Sequence, residues 1–221
     1  MARSIYIASP NAGTGKSTVA LGLVTVLAKV VAKVGVFRPF VDSRDEHPFL
    51  DLLLAHSGSS LPAEQCVGVT WDEFHADPEE ALPRIVDAYR AVAREHDVVI
   101  IDGSDFTDVA GNPELSFNAR VAANIGAPML LVVSGEGSPE EVRASVEVSM
   151  AEISDNLGRT AAVLANRCPE ASRQAIAEAL GGIEGVTAST LPEVPLLSAP
   201  SVGEILDAVD GTLISGDTAL L

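Results

Sequence analysis

An apolar run, Ser4–Ala8, leads through the loop Asn11-Ala12-Gly13-Thr14-Gly15-Lys16-Ser17 into a long stretch of helical periodicity. This feature constrains the chain most. A glycine-rich loop closing on Gly-Lys-Ser between a strand and a helix has the form of a phosphate-binding loop. Gly13 and Gly15 permit close backbone approach, so that successive N–H groups can point at phosphate oxygens. The N-terminus of the following helix adds partial positive charge. Lys16 is expected to reach the β- and γ-phosphates, Ser17 Oγ to ligate Mg²⁺, and Thr18 to add a further hydrogen bond. Pro10 stands five positions before Gly15, where the common pattern has glycine, so the start of the loop is expected to differ in shape. Two other readings stay open: a turn that binds nothing, and a loop that kept its shape but lost its nucleotide.

Strand and helix signals then alternate along nearly the whole chain. Ser4–Ala8, Val98–Asp102, Pro128–Ser134 and Thr160–Asn166 are apolar on consecutive positions, which predicts strands covered on both faces. Val34–Phe37 and Val186–Ser189 are weaker strand candidates. Ser17–Lys33 carries Val19, Leu23, Val26, Leu27 and Val30 at three- and four-residue spacing, which predicts a helix. Further helices are expected over Glu79–Glu95, Leu115–Ile125, Pro139–Asn156, Pro169–Leu180 and Ser201–Asp210. Pro139–Asn156 is opened by Ser138 as a cap, an N1 proline and an acidic first turn. The alternation predicts an α/β fold: a doubly wound, mostly parallel sheet with helices on both faces. Residues 1–191 are expected to form this domain. Residues 192–221 should hold its closing elements and the start of a linker to a following domain, because the chain stops on Leu220-Leu221 without a polar tail.

A net charge of −17 argues against nucleic acid or an anionic membrane as partner. Cys66 and Cys168 lie far apart, and His47, His56, His75 and His96 lack metal-ligand spacing, so no zinc site is legible. Ser57, Ser104 and Ser134 have no readable His–Asp partners. Met1-Ala2-Arg3 runs directly into a strand without the layout of a signal peptide, and Lys29 and Lys33 break the apolar stretch Val19–Val36, so the expected location is the cytoplasm. Asp102 ends an apolar strand. Beside a phosphate-binding loop, such a carboxylate is expected to hold Mg²⁺ through water, with an ordinary acidic residue ending a strand as the alternative. Mg²⁺ and ATP are the cofactors this pattern implies.

Ala12–Thr18 resembles the loop of the deviant-Walker group, which includes dethiobiotin synthetases, cobyrinic acid amidase-ligases and partitioning ATPases. Asn11 stands where the partitioning ATPases carry their signature lysine, which argues against their nucleotide-sandwich dimer. Val36-Phe37-Arg38-Pro39-Phe40 is similar to the Lys-Pro turn of dethiobiotin synthetases, with Arg38 in place of the lysine. The resemblance makes Arg38 an anion-binding candidate, but a guanidinium lacks the compact ammonium geometry that carboxylation chemistry uses there. In such synthetases an Asn after a late strand reads the nucleotide base, which implies that role for Asn166; an ordinary turn asparagine before Pro169 is the equal alternative. Their second Mg²⁺ carboxylate falls in the loop after Arg38, which makes Asp45 the candidate, against a solvated loop of Asp42, Arg44, Asp45 and Glu46.

The order of several segments is closer still to the N-terminal domain of long-form phosphate acetyltransferases. Those segments are the loop, Val36–Phe40, Val98–Gly103, Leu115–Asn118, Ala122–Pro128, Ala162–Arg167, Val194–Leu197 and Gly216–Leu221. That resemblance implies a regulatory and assembly-stabilising domain with no acetyl-transfer residues of its own. Its partners would be a nucleotide or small-metabolite effector, the downstream domains of the same polypeptide, and further copies in a homo-oligomer. A stand-alone ATP-dependent carboxylate or carbamate ligase and a module with a vestigial loop are the alternatives.

Overall fold

The computed structural model describes residues 2–43, 47–104, 114–199, 202–213 and 215. Strand β1 (Arg3–Ala8) feeds the loop and helix α1 (Lys16–Leu27), then β2 (Val34–Val41) and α2 (Pro48–Ser57). A 3-10 turn precedes β3 (Val67–Thr70), α3 (Trp71–Ala76), α4 (Pro78–Glu95) and β4 (Val98–Asp102). The chain continues through α5 (Glu114–Ile125), β5 (Met129–Ser134), α6 (Pro139–Asp155), β6 (Thr160–Cys168), α7 (Arg173–Gly181) and β7 (Thr187–Pro192). Two short helices, α8 (Pro195–Ser198) and α9 (Val202–Ala208), follow.

The strands form one seven-stranded sheet in the order β3-β2-β4-β1-β5-β6-β7, and every pairing is parallel. The doubly wound α/β class expected from the sequence is therefore the fold observed. From β1 the chain winds toward β2 and β3, and from β4 it winds the other way toward β7. With right-handed crossovers this puts α1 and α2 on one face and α4 through α7 on the other, and the helix–helix contacts agree. The direction of winding reverses at β1, so the loop after it opens at the topological switch point, where such sheets bind ligands. Ile7, Ile100, Ile101 and Leu131 on the three central strands are fully buried, which is why those strands read as continuous apolar runs.

The elements depart from the sequence expectation in several places. Helix α1 stops at Leu27, not Lys33, and tightens into bonds such as Val30 N–H to Leu27 O at 2.9 Å. Val26 and Val30 are 58% and 78% exposed, so their helical spacing does not mark a face toward the core. Strand β2 continues four residues past Phe37, because β3 pairs with it at Arg38, Phe40 and Val41. The sequence expectation lacked β3, α2 and α3; β3 has only four residues, too few for a period to register. Regular helix begins at Arg173, not Pro169, whose carbonyl accepts from both Ser172 and Arg173 N–H in a preceding turn.

Candidate functional site

The loop is shaped by its first and last residues. Ser9 Oγ donates to Asn11 O at 2.6 Å and lies 2.9 Å from Thr14 Oγ1, and Ser9 and Thr14 are buried. This pins the Ser9-Pro10-Asn11 start without a glycine. Gly13 and Gly15 have φ of 75° and 79°, a left-handed backbone that L side chains resist. Gly15 is the N-cap of α1, so the free N–H groups of the helix start directly at the loop. Asn11, Ala12, Gly13 and Thr18 are exposed, while Gly15 and Ser17 are half-buried.

Lys16 folds back under the loop, where it is 2% exposed. Its Nζ donates to Asp102 Oδ1 and, at 2.7 Å, to Gly103 O. The other oxygen, Asp102 Oδ2, faces Arg38 Nε at 3.3 Å, and the Asp102 side chain is fully buried. Strand pairing makes this meeting possible: β4 lies between β1 and β2, so the end of β4 sits beside both the loop and Arg38. A polar network holds that end in place. Tyr6 Oη donates to Asn118 Oδ1 at 2.5 Å, and Ser104 N–H donates to the same oxygen at 3.2 Å. Burial, with the charges of Asp102 and Glu114 added, pushes the Tyr6 hydroxyl well above its ordinary range, so it stays a donor.

Two consecutive residues at the end of β6 clamp the loop from the other side. Asn166 Nδ2 donates to Thr14 O at 2.8 Å, and Arg167 Nη1 donates to Gly13 O at 2.9 Å. A Cβ on Gly15 would overlap the Asn166 amide, so glycine there lets strand and loop touch. Arg167 has a φ of 60° and also pairs with Glu136 at 2.9 Å and Glu193 at 3.4 Å. Beside this clamp opens a cavity of about 930 Å³, which runs from Gly13 and Gly15 along Val19 and Leu23 of α1 and over Ala162 and Leu164 of β6. Pro192, the last residue of β7, lines it together with Val194 and Leu197 beyond the strand. Among the described residues, α1 and α2 pack on β1, β2 and β4 on their face, which leaves room over β5–β7 for the cavity.

The AAA_26 family, an AAA domain, matches residues 3–201. The chain belongs to the AAA_26 family of AAA domains. This AAA domain is also similar over nearly its whole length to phosphate acetyltransferases, as expected from the order of its motifs. The phosphate acetyltransferase of Nitratidesulfovibrio vulgaris is 26% identical, covering 93% of this chain and 31% of that protein. That of Synechocystis is 23% identical, covering 98% and 33%. The chain therefore spans about a third of the length of these relatives. The hydrogenobyrinate a,c-diamide synthase of Streptomyces coelicolor is 29% identical over 64% of this chain and 26% of that protein. Among solved structures, a plasmid partition protein from Borrelia burgdorferi has a TM-score of 0.60 at 16% identity, covering 88% of this chain and 91% of that one. The septum site-determining protein MinD from Pyrococcus horikoshii, complexed with Mg-ADP, has a TM-score of 0.54 at 22% identity, covering 90% and 84%. At these identities the two structures speak for the fold alone.

The AAA domain brings Lys16, Asp102 and Arg38 into one cluster and sets Asn166 against the loop. Asp45 lies outside the described residues. Asp102, the carboxylate expected to hold Mg²⁺ through water, has one oxygen bonded to Lys16 and the other facing Arg38. Among the described residues, no group of three or more His, Cys, Asp or Glu could hold a metal. Sequence reasoning missed Arg167, Asn118 and Tyr6. Arg167 follows Asn166 directly, yet nothing in the sequence signals its left-handed backbone. Asn118 falls within the Leu115–Asn118 segment of the family resemblance, which was the one available signal. Cys66 and Cys168 are buried thiols, and burial, with Glu64 second, pushes Cys66 up to about 11. Among the described residues, no helix is long and apolar enough to cross a membrane.

Proposed function

We propose that this AAA domain is the nucleotide-responsive, assembly-stabilising N-terminal part of a phosphate acetyltransferase, with ATP as the ligand of its loop. The observation that carries the reading is the continuity of the phosphate loop with a cavity large enough for a nucleoside, with Asn166 at the junction. Phosphates would lie against the N–H groups of residues 13–18 and the start of α1. The base would enter between the Asn166 amide and Pro192, where an apolar wall suits a flat heterocycle. Acetyl transfer between coenzyme A and phosphate belongs, on this reading, to the remaining two thirds of the enzyme.

Calorimetric titration with ATP tests the loop. Binding by the wild type that falls at least tenfold in Lys16→Ala is the expected result. Equal binding, or none in either protein, refutes the nucleotide role. Acetyl phosphate formed from acetyl-CoA and phosphate by this chain alone refutes the division of labour. The similarity to a,c-diamide synthases favours a second reading, an ATP-dependent ligase acting on a carboxylate. ATP turnover stimulated by a carboxylate acceptor would support that reading over the first.

A further inference from the structure

Among the described residues, two cationic side chains, Lys16 and Arg38, face the two oxygens of the Asp102 carboxylate beneath the loop. We infer that Arg38 is a resident counter-cation for Asp102, and that this lets the loop bind polyphosphate without Mg²⁺. The inference rests on the proposed nucleotide role of the same loop.

Lys16 cannot serve a phosphate while it is bonded to Asp102 Oδ1 and Gly103 O beneath the loop. It must swing out, and it then leaves behind a carboxylate with no exposed surface. A buried carboxylate stripped of its cation is strongly disfavoured, so something must take the place of Lys16. In a metal-dependent phosphate site a hydrated Mg²⁺ does so. Here the replacement is already present. Arg38 Nε sits 3.3 Å from Asp102 Oδ2, with 19% of its side chain exposed. Among the described residues, neither Arg38 Nε nor Asp102 Oδ2 has a hydrogen-bond partner, so the pair has spare capacity that a small closing movement would convert into a bond.

The position of Arg38 supports the same role. Arg38 lies inside β2, between the pairings Phe37↔Ile101 and Phe40↔Val69, so its backbone is held by neighbours on both sides. A guanidinium stays charged at all working pH values and is more weakly hydrated than an ammonium, which suits a partly buried position. A dication approaching Asp102 would meet this fixed positive charge at short range. The arrangement thus discourages Mg²⁺ at Asp102 while it removes the need for it.

The test is titration of ATP and of inorganic pyrophosphate into the whole chain, in Mg²⁺ and again in EDTA, read as heat or as displacement of a fluorescent nucleotide. Wild-type affinity should change less than threefold between the two conditions. Arg38→Gln, close in size and uncharged, should bind at least tenfold more weakly in EDTA than in Mg²⁺, and Arg38→Lys should restore part of the difference. Unfolding curves of the variants would show that they are folded. A tenfold loss for the wild type in EDTA would overturn the inference and leave the nucleotide reading standing. Indifference of Arg38→Gln to Mg²⁺ would overturn the role of Arg38. Absence of ATP and pyrophosphate binding under both conditions would overturn this inference and the nucleotide reading together.

Discussion

Asn118 shows how one side chain can hold a site that it does not touch. Its Oδ1 accepts from Tyr6 Oη and Ser104 N–H, and its Nδ2 donates to Glu114 O at 3.0 Å. Gly103, between Asp102 and Ser104, is thereby fixed with its carbonyl on Lys16. Asn118→Ala strands a buried hydroxyl, and we expect a loss of about 2–3 kcal/mol in denaturant unfolding. In a Tyr6→Phe background the same change should cost about 1 kcal/mol less, because the stranded donor is gone. Cys66 makes a separate prediction in alkali. Burial disfavours the thiolate, so the folded chain keeps this proton longer than the unfolded chain does. That stability is whole below pH 9.0 and is lost as the pH rises toward about 11. Cys66→Ala should therefore show a shallower fall in stability over this window, measured by urea unfolding at stepped pH.

Helix α6 is the element whose start the sequence announces most fully. Ser138 Oγ accepts from Glu141 N–H at 3.2 Å, and Glu141 Oε2 accepts from Ser138 N–H at 2.8 Å, a complete capping box followed by Pro139 at N1. These hydrogen bonds hold the Glu141 carboxyl below its ordinary range. Ser138→Ala should cost about 1 kcal/mol in thermal or urea unfolding. The phosphate loop should keep its affinity, since α6 packs on the other face of the sheet. Helix α1 was less legible. Its buried face is Lys16, Ala20 and Val24, a narrow four-residue repeat, while Val19 and Leu23 look into the cavity. An apolar residue at helical spacing means a wall of some kind, and the sequence cannot say whether that wall is core or cavity.

At the scale of the molecule, charge sets how ligands arrive. A net charge of −17 repels a polyanion at long range, whatever the local cluster of Lys16 and Arg38 does at contact. Raising salt from about 0.01 to 0.1 M shortens the screening length from about 30 to 10 Å. We therefore expect the stopped-flow association rate of ATP to rise with salt over that range. A falling rate would mean that the basic cluster, not the net charge, governs approach.

The alternation of apolar runs and amphipathic stretches determined the parallel doubly wound sheet, because strands covered on both faces and helices covered on one have different periods. Gly13 and Gly15 determined the backbone of the loop, because few other residue types permit its left-handed φ, and Lys16 and Ser17 after them give it the form of a phosphate loop. Leu115–Asn118 was visible only as a family likeness, and Asn118's role came from the packing of α5 against β1. What only the tertiary structure decided is the state of the loop's charges. Lys16, Arg38 and Asp102 are 86 and 64 positions apart in pairing, and they meet because β4 inserts between β1 and β2. Local sequence carries periods and turns; it does not carry strand order, and strand order determines which cation faces which carboxylate.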